Sequence, residues 1–157
     1  MRPPCLGRHY GPVGGSHEGV AILQAALARE RLGEYRAQAG IEALHADAQT
    51  VDETDWVQIV EWYDELVRLT DNPVVWLNRA VAVGEADGAQ AGLAALEKVD
   101  RAVPRYRAVE AHLRERAGEL AYAAELYSEA ARAAANLAER DHLTLQAARL
   151  NSVIRGR

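Results

Sequence analysis

The sequence predicts an all-α protein of about eight helices, arranged as a right-handed array of antiparallel helix pairs. Three observations predict it. Apolar residues recur at spacings of three and four through most of the chain, and no stretch alternates apolar and polar residues long enough to read as a strand. The apolar residues, 49% of the total, are mostly Ala, Leu and Val with no Phe, a composition that suits closely approaching helices. The helical stretches are separated by short turn or capping signals, so neighbours must fold back on each other.

Residues 1–15 hold three of the five prolines and four of the twelve glycines, with no period, and are expected to be disordered or irregular. The helical domain is expected over 16–157. Ser16 can cap a first helix running to about Arg31, with Val20, Leu23, Ala26 and Leu27 on its apolar side. Gly33 is expected to end it. A second helix spans about 34–48, with Ala37, Ile41, Leu44 and Ala48 inward, and a loop follows over 49–53.

The third and fourth helices carry the clearest signals. Asp55 can cap the third, with Gln58 as its reciprocal partner. Trp56, Ile59, Tyr63 and Leu66 then share one face. Asn72 can cap the fourth, and Pro73 stands at its first position, where a missing N–H costs nothing. The fourth helix ends near 84–87. A short fifth helix follows Gly88 with Leu93, Leu96 and Val99. Residues 101–103 form a turn, and Pro104 opens a sixth helix that reaches about Ala117. Gly118 breaks the chain before the seventh, which shows Leu120, Ala123, Tyr127 and Ala130 on one face. Asn136 can cap the eighth, with Glu139 closing a capping box. Its inner stripe is Leu143, Ala147, Leu150 and Ile154.

A weak repeat accompanies this order. Pro73 and Pro104 lie about 31 residues apart, and small residues at Ala80, Gly92, Ala111 and Ala123 recur in register with large ones. Gly118, Ala123, Tyr127 and Ala130 follow the G…A…Y…A series of the second helix of a tetratricopeptide unit, so the array is expected to be tetratricopeptide-like. Such arrays usually bind other macromolecules rather than perform chemistry.

The formal net charge of −5 argues against a general nucleic-acid binder. Cys5 is the single cysteine, which excludes an intrachain disulfide and a cysteine metal cage and fits a reducing cytoplasm. No apolar run approaches the roughly 18 residues of a membrane span, and the first ten residues lack the apolar stretch of a signal peptide.

Individual residues offer few chemical sites. His9, His17, His45, His112 and His142 show no metal-ligand spacing, and His45 is read as a helix-terminal histidine. Asp47, Asp52, Glu53 and Asp55 cluster near one loop, where capping explains Asp55 better than cation binding does. Among the aromatics, Trp56 and Tyr63 read as core, whereas Trp62 lies off their face and is a contact candidate for a partner. Asn78 and Arg79 interrupt an apolar helix and are contact candidates too, with structural hydrogen bonding as the plainer reading. Arg105, Arg107, Arg114 and Arg116 form a basic group interleaved with Glu110 and Glu115, read as a solvated face. No phosphate loop, nucleophile elbow or zinc-protease motif is present, and no acid, base and nucleophile set can be assembled, so the chain is not expected to be an enzyme or to need a cofactor or metal.

One longer pattern goes further. It comprises Gly33-Glu34-Tyr35-Arg36-Ala37 with Ile41 and Leu44-His45-Ala46, then Thr54-Asp55-Trp56 with Ile59 and Tyr63-Asp64. Asn72-Pro73-Val74-Val75 and Leu77-Asn78-Arg79-Ala80-Val81-Ala82-Val83 complete it. The pattern resembles the C-terminal tetratricopeptide-like extension of one subgroup of extracytoplasmic-function (ECF) sigma factors of bacteria. Glu18-Gly19, Gly88, Ala91-Gly92-Leu93, Leu96 and Ala138-Glu139-Arg140 also fit, so the likeness covers about residues 18–150. The run 77–83 at its distance from Thr54-Asp55-Trp56 is its most specific part. The resemblance implies a cytoplasmic domain that modulates a sigma factor by protein–protein contact. The polymerase-binding and promoter-reading sigma regions 2 and 4 have no counterpart here, as in a truncated or separately encoded extension. Specific promoter binding by this chain alone is therefore not expected. The protein partner would be RNA polymerase or sigma regions on another chain. The alternative is a free-standing helical-repeat adaptor unrelated to polymerase.

Overall fold

The computed structural model describes residues 16–47 and 54–156, and among them every regular element is a helix. These are α1 (Ser16–Asp47), α2 (Trp56–Leu69), α3 (Pro73–Asp87), α4 (Ala89–Leu96), α5 (Tyr106–Arg116), α6 (Leu120–Ala133) and α7 (Leu137–Arg155). Residues 1–15, expected to be irregular, and residues 49–53, expected to form a loop, lie outside the described residues. So do the side chains of His9, His17, His45, Asp47, Asp52, Glu53, Val20, Leu23, Ala26 and Leu27.

Among the described residues seven helices stand where about eight were expected, because Gly33 does not stop the first. An interior glycine costs a helix only about 1 kcal/mol, and its neighbours Arg31, Leu32, Glu34 and Arg36 include good helix formers. Glycine stops a helix when it takes a left-handed conformation. Gly118 has such a positive φ (84°), and Gly88 takes an extended positive-φ conformation (φ 97°, ψ 161°), whereas Gly33 has no positive φ. Contacts nevertheless divide the chain at Leu32–Gly33. Of the first unit, the description covers only the helical residues 16–32. The second unit holds the rest of α1 and all of α2–α7.

Local signals set most helix ends in the second unit. Asp55 caps α2 by accepting from the Gln58 amide at 3.0 Å. The Gln58 side chain does not close the box; it donates to Glu61 at 2.7 Å. Asn72 caps α3 by accepting from the Val74 amide at 2.9 Å, with Pro73 in the first turn. Asp64 and Arg79, on the two sides of this turn, pair at 2.5 Å, which fixes α2 and α3 as an antiparallel hairpin.

The start of α5 departs from expectation. Pro104 stays in the preceding turn, Arg105 takes a left-handed φ of 70°, and the helix begins at Tyr106. At its other end, Gly118 and Glu119 donate to the carbonyls of Glu115 and Arg114, both at 2.9 Å, closing a Schellman turn. Asn136 caps α7 by accepting from the Glu139 amide at 2.8 Å. The Glu139 carboxylate, expected to complete a capping box, pairs instead with Arg105 at 3.2 Å.

Three apolar clusters hold the second unit. Ala37 and Ile41 of α1 meet Ile59 and Leu66 of α2 and Ala82 of α3. Leu77, Ala80, Leu96, Val103, Tyr106 and Leu113 join α3, α4 and α5. Ala111, Ala123, Leu126, Tyr127, Leu143 and Leu150 join α5, α6 and α7. Each fully buried Leu or Ile contributes about 1.5–3 kcal/mol. Of the residues expected inside, Leu96 and Tyr127 are buried, while Trp56, Tyr63 and Leu120 are half-buried at cluster edges. Ile154, expected inside, is exposed beside the first turn of α6. The backbones of α3 and α4 approach closely. A side chain on Gly92 would lie 2.7 Å from the Gly84 Cα and 3.0 Å from the Ala80 carbonyl oxygen.

Candidate functional site

The aromatic candidate, Trp62, sits in an open groove between α1 and α2. Gly33 and Arg36 form one wall, and Gln58, Glu61, Trp62 and Glu65 the other. Its position depends on a missing side chain. A Cβ on Gly40 would come within 2.6 Å of the indole, so only glycine leaves room for the ring on the backbone of α1. The indole is therefore half-buried, with its remaining edge open to the groove. The groove carries both signs of charge: Arg36 faces Glu61 and Glu65, and Glu65 is also paired with Arg68.

Asn78 and Arg79 lie elsewhere. Residues 62 and 64 are two apart on α2 and so point to opposite sides of it. Trp62 turns toward α1, while Asp64 turns toward α3 and holds Arg79. The Arg79 side chain is only 21% exposed, so its charge serves the hairpin. Asn78 is exposed on the outer face of α3. The three candidates do not converge on one site.

The basic group around α5 is largely neutralised by carboxylates, some on the same helix or just after it and some distant in sequence. Arg116 pairs with Glu85 of α3 at 3.2 Å, and His112 bonds the other oxygen of Glu85 at 3.0 Å. Arg107 reaches Glu110 at 3.3 Å and Glu129 of α6 at 3.8 Å. Arg114 binds both oxygens of Glu119, at 3.0 and 3.1 Å, and lies over the Tyr122 ring at 5.4 Å. Glu110 is the buried carboxylate between Arg107 and Arg114. These residues tie α5 to its neighbours rather than forming an open basic face.

A second polar link, partly buried, joins α5, α6 and α7. The Tyr127 hydroxyl donates to Glu115 at 3.1 Å, and Arg149 binds the other oxygen of Glu115 at 2.6 Å. Burial raises the Tyr127 pKa, and the negative charge and hydrogen bond of Glu115 raise it further; Arg149 opposes them in part. Among the described residues no cluster of His, Cys, Asp and Glu could hold a metal ion, and no helix is long and apolar enough to cross a membrane.

Sequence reasoning missed Gly40 as the seat of Trp62 and Glu85, Glu129 and Glu139 as anionic partners. The first had a signal: Gly33 and Gly40 stand seven residues apart, on one face of a helix, which marks a close approach. The carboxylates had none, because their partners lie far away in the sequence.

No known protein family matches the chain, and no solved structure matches it. It is similar to an uncharacterized protein of Rhizobium meliloti (strain 1021), with 43% identity over 89 residues. The match covers 57% of this chain but 21% of the relative, so the chain spans only about a fifth of that protein's length.

Proposed function

We propose that this chain is a tetratricopeptide-like interaction domain of the kind appended to ECF sigma factors, acting in transcription control by protein–protein contact. One packing relation carries the repeat reading: α3 touches both α4, its partner in a hairpin, and α5, the first helix of the next hairpin. Stacked helix pairs have this pattern of neighbour contacts. The starts of α3 at Pro73 and α5 at Tyr106 are separated by close to the roughly 34-residue tetratricopeptide period.

The sigma-factor link rests on the segment 54–83, which forms the α2–α3 hairpin and carries Trp62, Asn78 and Arg79. The relative supports a modular role, since the matched stretch occupies a minor part of a much longer protein. On this reading the domain is cytoplasmic, works through its surface rather than by catalysis, and contacts polymerase or sigma regions on another chain. Trp62 is the contact residue favoured, because its groove is open and the ring is only half covered.

The test is a pull-down of purified core polymerase, with and without sigma regions 2 and 4, by the tagged chain and by Trp62→Ala. Retention that Trp62→Ala weakens is the expected result. No retention by the folded chain under either condition rejects the sigma reading and leaves the free-standing adaptor.

A further inference from the structure

We infer that Gly40 is the positioning residue of the Trp62 contact: it seats the indole on the backbone of α1 so that the ring N–H stays free to donate to an acceptor on the partner. The inference deepens the interaction-domain reading and rests on it.

The seat is narrow. A Cβ on Gly40 would lie 2.6 Å from Cε2 of Trp62, 2.8 Å from Nε1 and 3.1 Å from Cδ2. These atoms belong to the five-membered ring, so the edge that carries the N–H is the edge the glycine accommodates. An indole is a rigid plate, and a residue with a Cβ must push the whole ring away. Alanine is the better helix former. Glycine here therefore costs α1 helix stability and returns a ring held flat against the backbone.

The N–H has no acceptor among the described residues. The carboxylates beside it on α2 are engaged: Glu61 accepts from Gln58 at 2.7 Å, and Glu65 pairs with Arg68. The carbonyls of α1 beneath the ring lie inside a helix and accept from its own amides. Among the described residues the buried side-chain polar atom without a partner is Nε of Arg114. The Trp62 N–H is therefore not enclosed, and water reaches it. An indole N–H can only donate. An occupant that displaced this water without offering an acceptor would leave the donor unsatisfied, at a cost in affinity. The groove carries both signs of charge, Arg36 on one wall and Glu61 and Glu65 on the other. The donor and the ring, not net charge, thus select the occupant: a partner segment that lays an acceptor against the open edge of the indole.

A double-mutant cycle on the full chain, read by urea unfolding, tests the seat. Gly40→Ala should lower the unfolding midpoint of the wild type. In a Trp62→Leu background, which lacks Cε2 and Nε1, the same change should raise it, because only the helix preference of alanine remains. The indole N–H resonance of Trp62, assigned by its loss in Trp62→Leu, should exchange rapidly with water and should move in Gly40→Ala. The resonances of Trp56 and Trp76 should stay. A pull-down of core polymerase with sigma regions 2 and 4 reads the contact. Gly40→Ala, which leaves Trp62 in place, should lower retention at least fivefold. Replacing Trp62 by benzothienylalanine, which keeps the shape of the ring and lacks the N–H, should lower it about two- to tenfold, the loss of one hydrogen bond. A midpoint lowered equally in both backgrounds, an unmoved Trp62 resonance or a slowly exchanging N–H would overturn the seat. Full retention by Gly40→Ala, or by the benzothienylalanine variant, would overturn the donor role. If the wild type retains nothing, the polymerase reading fails and the donor role with it, whereas the cycle and the resonance still decide the seat.

Discussion

Truncating Tyr127 to alanine should cost about 3–5 kcal/mol of unfolding free energy, the range for large aromatic side chains lost from a core. The ring is 5% exposed and packs in the cluster that joins α5, α6 and α7. Tyr127→Phe separates packing from hydrogen bonding. It keeps the ring and removes only the hydroxyl that donates to Glu115. Arg149 still satisfies Glu115, so the loss should be about 0.5–1.5 kcal/mol. Urea unfolding followed by far-ultraviolet circular dichroism measures both.

The pH dependence supplies an independent check. The folded state raises the Tyr127 pKa above the usual value of 10.0, mainly by burial. Folded protein therefore holds this proton more tightly than unfolded chain does. The associated stability is fully present below about pH 10 and is lost as pH climbs from there toward the folded-state pKa. Wild type should lose stability more steeply than Tyr127→Phe in this alkaline range. Burial also raises Tyr63, so some slope should survive in the variant. A near-zero cost for the alanine variant, or identical alkaline slopes, would refute the placement of Tyr127.

Gly92→Ala should destabilise by about 1–3 kcal/mol, since the new methyl meets the backbone of α3; thermal melts compared with Ala94→Gly, an exposed position on the same helix, check that the effect is steric. In gel shifts at rising salt, the isolated chain should show no preference for a promoter over a scrambled duplex. Its net charge is negative and most α5 arginines are already paired with carboxylates. A salt-resistant promoter preference would reveal a DNA-reading element among these helices.

The sequence by itself determined the helical class and most helix ends in the second unit. Asp55, Asn72, Pro73, Gly118 and Asn136 act on amide and carbonyl groups within a few residues, so their effect is legible locally. The three-and-four spacing likewise placed Ile59, Leu66 and Leu143 inward, because helix geometry alone decides which residues share a face.

Tertiary structure decided what depended on distant partners. Gly33 was a stop by local rules, yet its helical cost of about 1 kcal/mol is small beside what packing supplies. Glu139 had a good local partner and took Arg105 instead. Ile154 kept the core period but lies where α6 is only beginning and remains exposed. The α5 arginines looked like one solvated face until Glu85 and Glu129 were brought beside them. Local chemistry reaches about one helical turn, whereas these pairings follow from which helices stack, a relation no short spacing in the chain encodes.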